Sequence, residues 1–384
     1  MTTKPILRKY IYLRRAIRSL RGLRYYLLDI LGYIIFRLFY NSRVVFKRKE
    51  IQKILLIRLD RIGDMLLTTP AIRALRESYP LAQIDLLASR YTKDLLYGNQ
   101  DINNIIEREA FISIGDCGKE LKKRGYDAVL VFHPDFSCNR LAYLAGAKWR
   151  IGYSGRGGSF YLNRVLKDDR GIRIRHEIDS ALEVTAQIEA FTDDKSVKLI
   201  ISEENIALAR EFLKKNKVDG KFAVIHPGSR QPYMRWKKEG FAEVAKWLIE
   251  TKNMKVVFTC GKDEYDHVME TAYLVKEGVV IAEGLTLGVL AALISQSSLF
   301  VGNSTGPMHI AAALSVPTVA IFGNVHPLDS YKAWSPVSPN SKIIFSELNC
   351  PGCHPGDCIS FDCMAGIDPK KVIASADELL GGQS

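Results

Sequence analysis

The chain has 384 residues, 47% hydrophobic and 25% charged, a composition that suits a folded globular protein of more than one ordinary domain and excludes a disordered one. Its 54 Lys and Arg against 42 Asp and Glu give +12, yet residues 1–50 hold 13 of those bases and only two acids, Asp29 and Glu50. The rest, 41 bases against 40 acids, is close to neutral, so no general nucleic-acid surface is implied.

Residues 1–50 read as a basic amphipathic extension that associates with a membrane. At helical spacing Tyr10, Leu13, Ile17 and Leu20 share a face, while Arg14, Arg15, Arg18 and Arg21 gather on another. Tyr25–Tyr40 is apolar almost all round, but Asp29 and Arg37 interrupt it and it falls short of the roughly 20 apolar residues of a spanning helix. The long charged stretch before it and the lack of a small-residue cleavage site argue against a secretory signal. An anionic membrane interface suits such a segment. The alternative is packing on its own domain or on a second subunit.

The body begins with KILLI at 53–57, a short apolar run fit for a buried parallel strand. Strands are expected again at Gln83–Ala88 and Asp127–Phe132, with helices to about Tyr79 and over Ser89–Tyr97 and Cys138–Ala145. Residues 168–205 are charged and aperiodic and read as a hinge. The alternation restarts with strands at Phe222–Ile225, Lys255–Thr259, Val279–Ala282, Leu299–Val301 and Thr318–Ile321, and helices at Lys238–Thr251, Asp263–Val275, Leu287–Ser295 and Pro307–Leu314. This pattern predicts an α/β protein of two Rossmann-like, doubly wound domains facing a cleft, over 51–200 and 201–384. Ligands of such sheets bind beyond the carboxyl ends of the strands.

Three post-strand loops carry the candidate chemistry. After the first strand, Gly63 permits a tight turn and Asp64 opens a helix, where a carboxylate can take a proton from a hydroxyl or act as an N-cap and no more. The dinucleotide fingerprint is absent. After Ile225, amides near Gly228 and Ser229, with Arg230 or Arg235, offer donors to phosphate oxygens. After Val301, the run Ser304, Thr305, Gly306, Pro307, Met308, His309 opens a helix whose unpaired N–H groups suit a diphosphate. In the loop after Thr259, Gly261, Asp263 or Glu264 offers a partner to the ribose of a nucleotide carrying that diphosphate.

These segments resemble glycosyltransferase family 9, the lipopolysaccharide heptosyltransferase family. The resemblance covers roughly residues 52 to 366. It rests on KILLIRLDRIGDMLLTTPAIRALRESYP (53–80), HPGSRQPYMRWKKEGFAEVAKWL (226–248) and VGNSTGPMHIAAALSVPTVAIFG (301–323), with Arg150-Ile151-Gly152-Tyr153 in addition. It implies a GT-B fold and inverting, metal-independent transfer from a nucleotide-diphosphate sugar, usually ADP-heptose, to a glycolipid acceptor on the cytoplasmic face of the bacterial inner membrane. It also places the general base on Asp64 and the diphosphate contacts on Thr305, Gly306 and His309. Two positions depart from the pattern: Ser304 stands where many members carry Asp, and Met234 where a phosphate-binding Lys is common, with Arg235 as a substitute. The competing readings are another nucleotide-sugar enzyme, such as an epimerase or dehydrogenase, and a non-catalytic membrane scaffold on the same fold.

Cys350, Cys353, Cys358 and Cys363 lie in a Pro/Gly-rich loop over 350–363 at spacings that can hold structural Zn or Fe through four thiolates. Reduced surface thiols are the alternative. Cys117, Cys138 and Cys260 are expected in the core or without a role.

Overall fold

In the computed structural model, the residues described are 20, 22–35, 46–170, 172–323, 326, 329–348, 358 and 360–381. The first sheet contains β1 (Lys53–Arg58), β2 (Gln83–Ala88), β3 (Asn104–Glu107), β4 (Ala128–Val131), β5 (Trp149–Tyr153) and β6 (Arg164–Leu166). The second contains β7 (Phe222–His226), β8 (Lys255–Cys260), β9 (Val279–Glu283), β10 (Leu299–Asn303), β11 (Thr318–Phe322) and β12 (Ser341–Phe345). Every pairing is parallel. The strand orders are β3-β2-β1-β4-β5-β6 and β12-β11-β10-β7-β8-β9. Both are the doubly wound order, with the reversal beside β1 in one sheet and between β7 and β10 in the other.

Period-two alternation decides which core each strand residue enters. Leu55 and Ile57 join a cluster under the outer face of the first sheet, and Ala223 and Ile225 join one under the outer face of the second. Ile54 and Leu56, together with Phe222 and Val224, enter a third cluster that runs through both sheets' inner helices and includes Leu290, Met308 and Ile310. The two halves therefore share buried apolar surface.

The elements behind the first sheet differ from expectation, beginning with a helix at Ile114–Arg124 that was not expected. The helix expected up to Tyr79 is two helices, Ile62–Leu66 and Thr69–Ser78. Ser89–Tyr97 holds only a short 3-10 turn at Lys93–Leu96, because Tyr97 and Gly98 leave the helical region directly after it. The expected hinge contains the helix Glu177–Ala186, capped by His176. The stretch after it is strapped down by the buried Arg73, which donates to the Asp194 and Ser196 carbonyls at 2.7 and 3.0 Å.

The helix over 22–35 packs on the first domain. No helix among the described residues is long and apolar enough to cross a membrane. The expected amphipathic faces over 6–19, and the apolar run beyond residue 35, lie outside the described residues.

Candidate active site

A cavity of about 910 Å³ lies between the two sheets, lined by loops that leave the carboxyl ends of their strands. It is built around Arg58, the last residue of β1, which is 1% exposed. Its Nε lies 3.0 Å from Asp60 Oδ1, and its Nη2 lies 3.1 Å from both Asp64 Oδ1 and Glu177 Oε1. Nη1 donates to the Phe132 carbonyl at 2.8 Å. One planar fork thus holds three carboxylates from three elements, a task suited to guanidinium. A charge at the end of an otherwise apolar strand was the sequence signal for Arg58; nothing in the sequence pointed to Glu177, which arrives from more than a hundred residues away.

The two aspartates in this cluster are pushed apart. Burial by itself would raise Asp60, but Arg58 and the His133 Nδ1 contact at 2.9 Å outweigh it and hold its carboxyl at about 2. Burial raises Asp64 well above the usual carboxylate range, and the Asp60 charge adds to this while Arg58 opposes it. Divergent pKa values keep one of two neighbouring acids an anion and bring the other's titration above the ordinary carboxylate range. Asp64 is partly exposed to the cavity.

Opposite Asp64, the helix Gly306–Ala313 points its N-terminus into the same cavity through Ser304, Thr305, Gly306 and Pro307. Thr305 makes no side-chain cap; its Oγ1 donates instead to the Asn303 carbonyl at 3.2 Å. Pro307 has no N–H and Met308 N donates to the Thr305 carbonyl at 3.2 Å, which leaves the Gly306 N–H to an anion. Two glycines let the halves meet here. A Cβ on Gly306 would stand 2.7 Å from Ile62 Cβ, and one on Gly63 2.7 Å from His309 Cδ2. Gly63 therefore sits within a helix, not in the tight turn expected of it, and its contribution is close approach.

His309 lines the cavity but is buried, and burial, with a smaller effect from His176, pushes its pKa down to about 3. It is a neutral hydrogen-bonding group, edge-on to Trp334 at 6.2 Å. Ser229, Arg230 and Glu264 also line the cavity. Glu264 Oε2 accepts from Gly261 N at 3.0 Å and lies 3.7 Å from His226 Nε2, which ties the loops after β7 and β8 together.

Three expected donor residues fall elsewhere. Met308 is fully buried in the shared core because it sits on the inward side of its helix. Arg235 does not line the cavity; its Nε donates to the Ser229 carbonyl at 2.6 Å and shapes the loop, while Met234 takes the cavity wall. Asp263 does not line the cavity either, since the 3-10 turn Lys262–Glu264 directs Glu264 inward in its place. Among the described residues, Arg61, Arg156 and Arg230 line the cavity without a carboxylate partner.

Of the four clustered cysteines, Cys350 and Cys353 lie outside the described residues. Cys358 is exposed and Cys363 packs against the second domain's core. No group of three or more His, Cys, Asp or Glu among the described residues is placed to hold a metal, so the described donors give the Zn or Fe reading no support. Cys117, Cys138 and Cys260 are buried.

Comparison with known proteins adds a family. The model of glycosyltransferase family 9 (heptosyltransferase) matches residues 114–360. The chain is 29% identical over 287 residues to lipopolysaccharide heptosyltransferase 3 of Escherichia coli K12, covering 68% of this chain and 79% of that one. Among solved structures, a glycosyl transferase family 9 protein from Veillonella parvula superposes with a TM-score of 0.73 at 24% identity, over 87% of this chain and 99% of that one. The ADP-heptose lipopolysaccharide heptosyltransferase II of E. coli gives 0.71 at 23% identity, over 85% and 98%. These neighbours share the GT-B arrangement of two facing Rossmann-like domains.

Proposed function

Since the chain belongs to glycosyltransferase family 9 and is an enzyme of that class, we propose that it transfers heptose from ADP-heptose to a lipopolysaccharide-core or related glycolipid acceptor, with inversion and with Asp64 as general base. The observation that carries this reading is the pairing, in one cavity, of an aspartate with a raised pKa and the N-terminal end of the helix Gly306–Ala313, where the Gly306 N–H has no backbone acceptor. The ADP and heptose parts are supported by the names of similar proteins.

The donor diphosphate sits on the helix that starts at Gly306, with Arg230 beside it. Glu264 accepts from the ribose hydroxyls. The acceptor enters from the first domain. Asp64 takes the proton of its hydroxyl as that oxygen attacks the anomeric carbon. The bond from that carbon to the diphosphate oxygen breaks on the opposite face, which inverts the centre. ADP leaves with its new charge stabilised by helix amides and arginine. The step uses only groups of this chain. The divergent pKa values of Asp60 and Asp64 favour this reading over the non-catalytic scaffold, because a scaffold has no use for a carboxylate of raised pKa facing a cavity. The setting is the cytoplasmic face of the inner membrane, with the enzyme peripheral to it.

A thermal-shift series with ADP-, GDP-, UDP- and dTDP-sugars tests the donor. A ligand at a hundred times its Kd stabilises by about 2.7 kcal/mol, so the ADP-sugar should give the largest shift. A larger shift with another base would replace ADP in this scheme.

A further inference from the structure

The helix over 22–35 is attached to the segment 157–160, which directly follows Arg156 of the cavity wall. Asp29 Oδ1 accepts from Ser159 N at 3.0 Å, Gly32 packs directly on the Phe160 ring, and Tyr25 covers Gly157. Asp29, Gly32 and Tyr25 lie at helical spacing on one side. Phe160 belongs to an aromatic group with Phe136 and Tyr161, at ring distances of 4.3 to 6.5 Å. Asn139 Nδ2 reaches the Gly157 carbonyl at 3.4 Å. The residue just before Gly157 is Arg156, which lines the active cavity. The helix is thereby held to the first domain next to the cavity's edge.

Its other side is apolar and open to solvent. Leu23, Tyr26, Leu27, Ile30, Leu31 and Ile34 are each 41 to 64% exposed and recur at steps of three and four, so they share a face. A soluble protein does not leave such a face uncovered without a partner. Charge identifies the partner. Residues 1–50 carry 13 bases against two acids. A second copy of this chain would bring two such strongly positive segments together, whereas an anionic bilayer attracts them and accepts the apolar face.

We propose that the exposed face of this helix inserts into an anionic lipid surface and that its clamp at 157–160 holds the Arg156 edge of the active cavity against the headgroups, so that a lipid-borne acceptor enters from that edge. This rests on the glycolipid-acceptor reading above, but its first test does not.

The full chain is sedimented with phosphatidylcholine vesicles containing or lacking phosphatidylglycerol, alongside Leu27→Glu/Ile34→Glu. The wild type should pellet only with phosphatidylglycerol and the variant should stay in solution. Both should keep the same thermal midpoint and the same ADP-sugar shift, which separates a failure of docking from a failure of the transferase reading. Hydrogen exchange then reads the clamp: peptides covering 155–162 should be slowed by phosphatidylglycerol vesicles in the wild type and not in the variant. Equal pelleting of both proteins overturns the insertion. Light scattering that shows a dimer lost in the variant replaces the lipid with a second copy. Protection confined to 20–35, with 155–162 unchanged, overturns the placement of the cavity edge.

Discussion

Asp64 shares a single buried guanidinium with Asp60 and Glu177, and burial first, then the Asp60 charge, raise its pKa against the pull of Arg58. Its folded pKa lies above its unfolded value. The stability linked to its protonated form is therefore present at low pH and lost as pH rises through the folded pKa. Asp64→Asn removes that loss. We expect the variant to be as stable as the wild type or more so near neutral pH, with the difference shrinking on acidification. Sugar transfer should fall about a hundredfold or more, while the ADP-sugar thermal shift persists. In the wild type, kcat/KM should rise with pH along a limb above the ordinary carboxylate range. Near-normal turnover of Asp64→Asn would remove it as the base. Arg58→Met should behave differently. It leaves buried acids without their cation, a loss of about 3–5 kcal/mol in urea unfolding, and should move the same pH limb upward, a shift that loss of stability alone does not produce. Asp64 and the Ser304–Gly306 run were readable from sequence because a post-strand turn and a helix start are local. Glu177 was not, since its role depends on a contact across 119 positions.

At the level of elements, the site depends on two short helices meeting end to side. The helix Gly306–Ala313 approaches Ile62–Leu66 only because Gly306 and Gly63 lack a Cβ. Gly306→Ala should force Ile62 and its helix back, at about 1–3 kcal/mol, and should reduce kcat more than it reduces ADP-sugar binding, since the acid and the diphosphate seat are then drawn apart. Equal turnover with a fully retained thermal midpoint would show that the approach is slack. The strands that sequence reading found, such as Gln83–Ala88 and Thr318–Ile321, are the apolar ones buried on both faces. It did not find β3, β6 or β12, edge strands of three to five half-exposed residues with little periodic signal, nor the interior β5, whose Arg150 and Gly152 break the apolar run, although it did find the half-exposed edge strand β9 from its Val-Val-Ile-Ala run. Met308 and Arg235 were assigned by proximity in sequence, but Met308 turns into the core and Arg235 onto the Ser229 carbonyl, so neither lines the cavity.

Across the molecule, the inner faces of both sheets feed one apolar cluster, and the His176 ring bridges the halves. Its Nδ1 accepts from Ile178 N, so Nε2 carries the proton and donates to the Ser335 carbonyl at 3.0 Å. Shared burial couples the unfolding of the two domains. Scanning calorimetry of the ligand-free chain should show a single endotherm; two resolved transitions would mean that the shared cluster contributes little to either half.

The sequence by itself determined what depends on neighbours in the chain: the alternation of apolar strands and helices, hence two doubly wound sheets, the loops that open toward a ligand, and a leader whose bases exceed its acids. Only the tertiary structure decided which residues face one another. Arg58 gathers Asp60, Asp64 and Glu177, Met234 displaces Arg235 from the cavity wall, and Asp29 fixes the leading helix beside Arg156. Each of these depends on direction and distance between elements remote in sequence, which packing sets and local periodicity does not record.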